Sequence, residues 1–388
     1  MKIRRFLVSL LCVFVLITNT SFSHAEQIEL NLKSESSVLM EASTGKIIYE
    51  ENAKEHLSPA SITKIMTLLL IFEALNEGKI SLTDSVVTSE YASSMGGSQV
   101  FLEVNEIQTV ETMIKCIVVA SANDASVAMG EFIAGTNEQF VARMNVRAKE
   151  LGMNDTHFVD CCGLTDSSEH YTCAYDIALM SRELILNHPT IFEYTQIWME
   201  DITHTTAKGN SVFTLSSTNK LLKQYQWTTG LKTGFTSKAK FCLSATANKN
   251  DIQMIAVVMK APDSKTRFSE AAKLLEYGYS VSRIYEDTHQ EELEDVHISG
   301  GIKNKIKVAF EGPFTYLDIS GNDLSGITQS IQWNDKIKAP IKEGDMVGKA
   351  VYELNGSVIG ECPIISMETV DKAGYGDYLF DLLKKLLI

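Results

Sequence analysis

Three short runs of residues could do chemistry together. Ser61-Ile62-Thr63-Lys64, Ser121-Ala122-Asn123 and Lys232-Thr233-Gly234 stand in this order along a chain of 388 residues. A serine hydroxyl is a poor nucleophile until a neighbour accepts its proton, and a lysine amine can accept it once burial or a second cation has lowered its pKa. A serine and a lysine three apart, a second serine and a distant lysine fit acyl transfer through an active serine that attacks a peptide or lactam carbonyl. Each run is weak alone: Ser-x-x-Lys begins at Ser43, Ser61, Ser217 and Ser237, Ser-x-Asn recurs at Ser217 and Ser320, and only Lys-Thr-Gly is unique. Ser61 is selected by context. It opens an apolar helical pattern, where unpaired N–H groups and the helix dipole favour developing negative charge, and Lys64 falls on the same face. Ser43 sits in a turn-like stretch, and Ser237 follows the Lys-Thr-Gly segment.

The roles follow from residue type. Lys64 is the expected base for Ser61, with Lys232 the second cation, and Ser121 relays a proton to the leaving amine. Asn123 binds the substrate backbone or positions Lys64. The backbone N–H groups of Ser61 and of Phe235, the residue after Gly234, form an oxyanion hole, and Thr233 hydrogen-bonds a terminal carboxylate of the substrate. Taken singly, the runs read as a helix cap, a helix-breaking turn and a solvated loop end. Taken together, that ordinary reading needs three accidents in the right order.

The elements that must position these groups are visible in the pattern. Ser37 to Glu41 and Lys46 to Glu50 flank a turn and read as a hairpin. Ile62, Ile65, Met66, Leu69 and Phe72 recur at helical spacing until Gly78. Val110 to Gly130 is a second helical region, broken by Ser121-Ala122-Asn123-Asp124, and Tyr175 to Asn187 a third. Phe241 to Ala247 and Ile252 to Lys260 read as an antiparallel pair. Strands at both ends with helices between predict one α/β (α+β) domain, an antiparallel sheet covered by helices. Beyond about Ser282 the composition shifts. An acidic run, Glu286 to Glu294, reads as a linker, and strand-like pieces at Ile306 to Phe310, Phe314 to Ile319 and Met346 to Leu354 predict a small all-β domain.

Lys2, Arg4 and Arg5 precede an apolar run from Phe6 to Ile17 and then Ser23-His24-Ala25, the pattern of a secretory signal peptide cleaved after Ala25. Its removal makes a net charge of −14 at pH 7 more negative by three, which argues against a nucleic-acid partner. The boundaries expected are therefore 1–25 for the signal peptide, 26–282 for the catalytic domain, 283–374 for the β domain and 375–388 for a terminal helix. In that helix Tyr378, Leu379, Leu382, Leu383, Leu386 and Leu387 oppose Asp377, Asp381, Lys384 and Lys385. The stretch is too short to cross a bilayer, and reads either as an interfacial membrane anchor or as a helix docked on its own domain. Cys116, Cys161, Cys162, Cys173, Cys242 and Cys362 are scattered, unlike a disulfide framework, and read as buried free thiols. Neither paired Cys-x-x-Cys nor metal-spaced histidines occur, so no metal or other cofactor is expected.

At these motifs the chain resembles the low-molecular-mass penicillin-binding proteins that act as serine-type D-alanyl-D-alanine carboxypeptidases. The resemblance runs from about Val38 to the C-terminus and includes Leu39 to Gly45, Pro59 to Thr67, Ala120 to Ala125, His170-Tyr171-Thr172 and Lys232 to Thr236. It implies a β-lactamase/transpeptidase-like fold, a trailing β domain and a C-terminal amphipathic membrane anchor. It also implies removal of the last D-alanine from peptidoglycan stem peptides through an acyl-enzyme on Ser61, and covalent trapping by β-lactam antibiotics. It places an exported enzyme at the outer face of the cytoplasmic membrane. Arg267 falls where the family has a carboxylate-binding arginine; its ordinary reading is a surface arginine paired with Glu270. Three features depart from the family pattern: Lys240 in place of glycine, Asp160 in place of asparagine, and Cys161-Cys162 before Gly163-Leu164. His170 reads as structural. Two alternatives stay open. One is a serine β-lactamase, whose Glu-x-x-x-Asn signature is not recognisable between Gly163 and Asp176. The other is a non-catalytic cell-wall binding or sensor protein with a relic site.

Overall fold

The structure, a computed structural model, describes residues 30–287, 292–319, 321–377 and 379. The expected signal peptide at 1–25, part of the acidic run and the terminal stretch beyond 379 lie outside the described residues. The chain divides into two units, Met1–Lys33 and Ser34–Ile388. Residues 30–33 of the first contain no helix or strand.

Within the second unit, strands from both ends of the expected domain build one antiparallel sheet. They are β1 (Ser36–Glu41), β2 (Ile47–Glu51), β3 (Thr228–Thr236), β4 (Lys240–Lys249) and β5 (Ile252–Ala261), in the order β2-β1-β5-β4-β3. The β1–β2 turn is held by Glu41, whose carboxylate accepts the N–H groups of Ser43 (2.9 Å) and Thr44 (2.8 Å). Register decides what faces the site. Val38 pairs with Val257, Val257 with Ser244 and Ser244 with Lys232, and directly paired residues share a face. Lys232 therefore projects to the same side as the buried Val38 and Val257.

The helices used here are α1 (Lys64–Asn76), α2 (Val110–Val119), α3 (Asn123–Ala134), α4 (Asn137–Glu150), α5 (Ala174–Asn187) and α6 (Ser264–Val281). The expected stripe on α1 is only part of its buried surface: every residue from Lys64 to Leu69 is buried, with Ile71, Phe72 and Ala74. A helix apolar nearly all round belongs in an interior, and α1 is surrounded by α2, α3, α4 and α5. On the Lys232 side of the sheet, Ser181 Oγ of α5 lies 2.8 Å from Ser244 Oγ. On the other side α6 approaches so closely that a Cβ on Gly278 would come within 2.8 Å of Leu39 Cδ2.

The expected break in the second helical region is narrower than the four residues 121–124, since Asn123 and Asp124 already belong to α3. Asp124 pays for its burial by accepting the N–H groups of Val100 (3.1 Å) and Leu102 (3.1 Å). Beyond α6, strands Val308–Phe310, Ser357–Ser366, Met346–Leu354 and Thr328–Trp333 lie side by side in an antiparallel sheet. Of these, Met346–Leu354 has the bounds expected, whereas Thr328–Trp333 and Ser357–Ser366 carry no clear signal: the first is exposed throughout and the second contains Gly360 and Pro363. All six cysteines named above are buried and free of disulfides.

Candidate active site

The segment that carries Ser61 does not begin as an α-helix. Ala60–Thr63 forms a 3-10 turn directly before α1, so Ser61 sits in the turn and not at a capping position. Ala60 adopts φ 48°, a left-handed conformation that a non-glycine residue keeps only when its surroundings hold it. The hold is visible. His170 Nδ1 accepts the Val159 N–H (3.0 Å), so its hydrogen is on Nε2, which donates to Thr63 Oγ1 (2.9 Å). That hydroxyl in turn donates to the Ala60 carbonyl (2.8 Å). His170 is thus a buried brace for the turn, and burial lowers its pKa, favouring the neutral ring that this chain of bonds requires.

Lys64 is fully buried, and its Nζ lies 3.0 Å from Ser61 Oγ, 2.6 Å from Asn123 Oδ1 and 2.6 Å from the Cys162 carbonyl. Burial lowers its pKa, while the groups of Cys162, Cys161, Asp160 and Asp124 act in the opposite sense. A neutral amine has two hydrogens and one lone pair. Asn123 Oδ1 and the Cys162 carbonyl can only accept, so they take both hydrogens and leave the lone pair for the Ser61 hydroxyl. The amide of Asn123 is itself oriented, because Nδ2 donates to the Gly96 carbonyl (2.7 Å).

The second pair mirrors the first. Lys232 Nζ contacts Ser121 Oγ (2.8 Å) and the Thr233 carbonyl (3.1 Å). Burial first, then the charges of Lys64 and Arg267, push Lys232 well below the ordinary lysine range. Ser121 is presented from the α2–α3 break with φ 60°, another left-handed non-glycine. Thr233 Oγ1 lies 2.7 Å from Thr218 Oγ1. Gly234 packs on the 3-10 turn: a Cβ there would come within 2.8 Å of the Pro59 carbonyl, so the strand can approach Ser61 only without a side chain. Phe235 is exposed, with its ring 4.5 Å from that of Phe241.

Arg267 is buried rather than on the surface, and Glu270 accepts the Ser34 N–H (3.1 Å). The Arg267 Nη1 donates to the carbonyls of Gly234 (3.1 Å) and Cys242 (3.2 Å), and its guanidinium lies 4.5 Å from the Phe268 ring centroid. Burial lowers its pKa to about 10, which leaves it charged at neutral pH.

The sequence motifs omit one wall of the site. Asp160 accepts the N–H groups of Cys162 (2.8 Å), Gly163 and Thr165 (2.8 Å), closing a loop that aims the Cys162 carbonyl at Lys64 and the Cys161 carbonyl at Thr67 Oγ1 (2.5 Å). Gly163, at φ 75°, lies against the Ala60 carbonyl. The working atoms here are backbone carbonyls, which residue type cannot announce; the departures at Asp160 and Cys161-Cys162 were the signal that this loop matters.

Comparison with known proteins assigns the chain to a family. A family described as D-alanyl-D-alanine carboxypeptidase matches residues 21–263, and one described as penicillin-binding protein 5, C-terminal domain, matches residues 282–372. The D-alanyl-D-alanine carboxypeptidase DacF of Bacillus subtilis is 41% identical over 386 residues, covering 97% of each chain. DacC of Escherichia coli, of the same name, is 30% identical over 95% of this chain and 92% of its own. The crystal structure of penicillin binding protein 5 from Haemophilus influenzae is similar at a TM-score of 0.76 and 29% identity, covering 89% of this chain and 99% of that one. With its sheet, its helices and its trailing β domain, this chain belongs to the D-alanyl-D-alanine carboxypeptidase family of serine-type hydrolases.

Proposed function

We propose that this protein removes the terminal D-alanine from peptidoglycan stem peptides through an acyl-enzyme on Ser61. The observation that carries the reading is the pair of buried lysines, each with its amine on one serine hydroxyl: Lys64 on Ser61 at 3.0 Å and Lys232 on Ser121 at 2.8 Å. In this reading the lone pair of Lys64 takes the Ser61 proton as Oγ attacks the penultimate carbonyl. The oxyanion is met by the N–H groups of Ser61 and Phe235. Collapse breaks the peptide bond, and Lys64 returns the proton to the leaving amine through Ser121, whose hydroxyl Lys232 orients. Asn123 binds the acyl side and holds Lys64. Thr233 and the positive charge of Arg267 receive the terminal carboxylate, and Gly234 lets its strand lie against the turn that carries Ser61. Water then attacks the ester, Lys64 again serving as base, and Ser61 is restored.

A β-lactam presents the same carbonyl in a ring, so penicillins are expected to acylate Ser61. The protein is further read as exported after cleavage at Ala25, with a catalytic domain at 26–282, a β domain at 283–374, and a helix at 375–388 that attaches it to the outer face of the cytoplasmic membrane. The test is D-alanine release from a synthetic peptide ending in Lys-D-Ala-D-Ala, comparing the protein with Ser61→Ala. Ser61-dependent release is expected. Rapid turnover of a chromogenic cephalosporin would favour a β-lactamase instead, and absence of both hydrolysis and acylation by penicillin would favour a binding protein.

A further inference from the structure

The hairpin Met199–Thr206 and Gly209–Ser216 carries none of the motifs, and yet one cavity of about 340 Å³ lies between it and the loop that follows Val100. Both walls are tied to the active site. On the loop side, Asn123 donates its backbone N–H to the Ser98 carbonyl (2.8 Å), and Asp124 holds the N–H groups of Val100 and Leu102. On the hairpin side, the chain continues from Ser216 to Thr218, whose hydroxyl meets Thr233. The backbones of the two walls thus lead directly to Asn123 and Thr233, two groups of the proposed reaction.

Its floor is a buried polar network with one unused atom. The Glu106 carboxylate accepts from His204 Nδ1 (2.7 Å), Gln108 Nε2 (2.8 Å) and the Glu103 N–H (2.9 Å). A carboxylate only accepts, so His204 Nδ1 carries a hydrogen, and in the Nδ1-H tautomer the lone pair is on Nε2. His204 is 7% exposed, and its Nε2 has no partner. Buried acceptors are seldom left unmet in a finished site. The walls are apolar: the rings of Phe101 and Phe213 lie edge to face at 6.1 Å, and Phe213 covers His204 at 5.8 Å. At the rim, Lys208 and Glu103 form an exposed pair at 2.7 Å, weak enough for a ligand cation to compete with.

We infer that this cavity is a subsite for the acyl part of the peptide substrate, receiving an aliphatic side chain that ends in an ammonium group. The stem of that side chain lies against Phe101 and Phe213. Its ammonium donates to His204 Nε2, backed by the negative charge of Glu106, and to the Glu103 carboxylate in exchange for Lys208. The inference rests on the carboxypeptidase reading, because the occupant is that reaction's own substrate.

The experiment compares two peptides ending in Lys-D-Ala-D-Ala, one with a free lysine ε-amine and one ε-acetylated. We expect the wild type to prefer the free amine by about ten-fold in kcat/KM, the scale of one charge-assisted hydrogen bond. The preference should fall towards one in Glu103→Gln and in His204→Phe. Because His204→Phe leaves Glu106 short of a donor and is at risk of misfolding, a thermal unfolding transition is recorded for each variant, and Glu103→Gln, on the rim, carries the decision. Equal turnover of the two peptides by wild type, or a preference that survives in folded Glu103→Gln, overturns the subsite. Failure of the folded wild type to release D-alanine from either peptide overturns the carboxypeptidase reading itself.

Discussion

At the scale of single residues, the chemistry depends on a lysine that has lost its ordinary company. Lys64 has exchanged water for two carbonyl acceptors and one hydroxyl, a set in which the neutral amine aims its lone pair at the hydroxyl. In the proposed reaction Ser61→Ala removes the nucleophile and Lys64→Ala its base. Each is expected to lower D-alanine release by at least about 10³-fold while leaving a cooperative unfolding transition. Wild-type release by either purified variant would end the mechanism. The pH dependence has a definite sign. Below its pKa Lys64 is protonated and cannot accept the Ser61 proton, so acylation by penicillin should rise with pH through an apparent pKa below the usual lysine value of about 10.4. An acylation rate flat across that range would show that another group is the base. The largest influence on Lys64 is burial.

At the scale of elements, the site is a meeting of a 3-10 turn, a helix break, a strand and one loop. Their fit is steric as much as polar. A Cβ on Gly163 would fall 1.7 Å from the Ala60 carbonyl, at a φ of 75° that disfavours a side chain in any case. Gly163→Ala is expected to destabilise by at least about 3 kcal/mol and to cut penicillin acylation, read by urea midpoint and acylation rate; wild-type values would mean that the turn and loop are not in contact. The same loop carries an acid-sensitive clasp. Burial alone would raise the Asp160 pKa, but His170 and the donors at Thr165 and Gly163 outweigh it and bring the carboxyl to about 2. A folded pKa below the unfolded one means that its contribution is complete above about pH 4 and is lost as pH falls through about 2. Asp160→Asn cannot accept from three N–H groups equally well and should cost about 1–2 kcal/mol at neutral pH. The gap from wild type should close between pH 4 and pH 2, and a gap constant with pH would remove Asp160 from the account.

At the scale of the whole molecule, the catalytic sheet and the β region are joined through continuous structure. Strand Arg283–Glu286 follows α6 and pairs with Thr315–Asp318, and Lys46 in the β1–β2 turn donates to the Leu317 carbonyl at 3.0 Å. If the proposed terminal helix attaches the protein to a membrane, truncation before Asp377 is expected to leave penicillin acylation intact and to release the protein from the membrane fraction; unchanged fractionation would overturn the attachment. Much of this organisation could be read from the chain. Periodicity marked α1, α5, β4 and β5, because their apolar spacing follows from which faces are buried, and three motifs in order named Ser61, Lys64, Ser121 and Lys232. The helices α4 and α6 and the hairpin Met199–Ser216 were not marked: Phe140, Met144 and Ala148 in α4 and Phe268, Ala271 and Leu275 in α6 do keep helical spacing, but polar residues between them dilute the pattern, and the hairpin is mostly exposed. The sequence by itself thus determined which side chains can react and the elements that carry them, because both are properties of residue type and short-range spacing. Tertiary structure alone decided the rest: that strand register turns Lys232 towards Ser121, that carbonyls of Cys162 and Ala60 complete the site, and that burial sets the lysines' charge. Those depend on which segments meet, and desolvation exists only once they have done so.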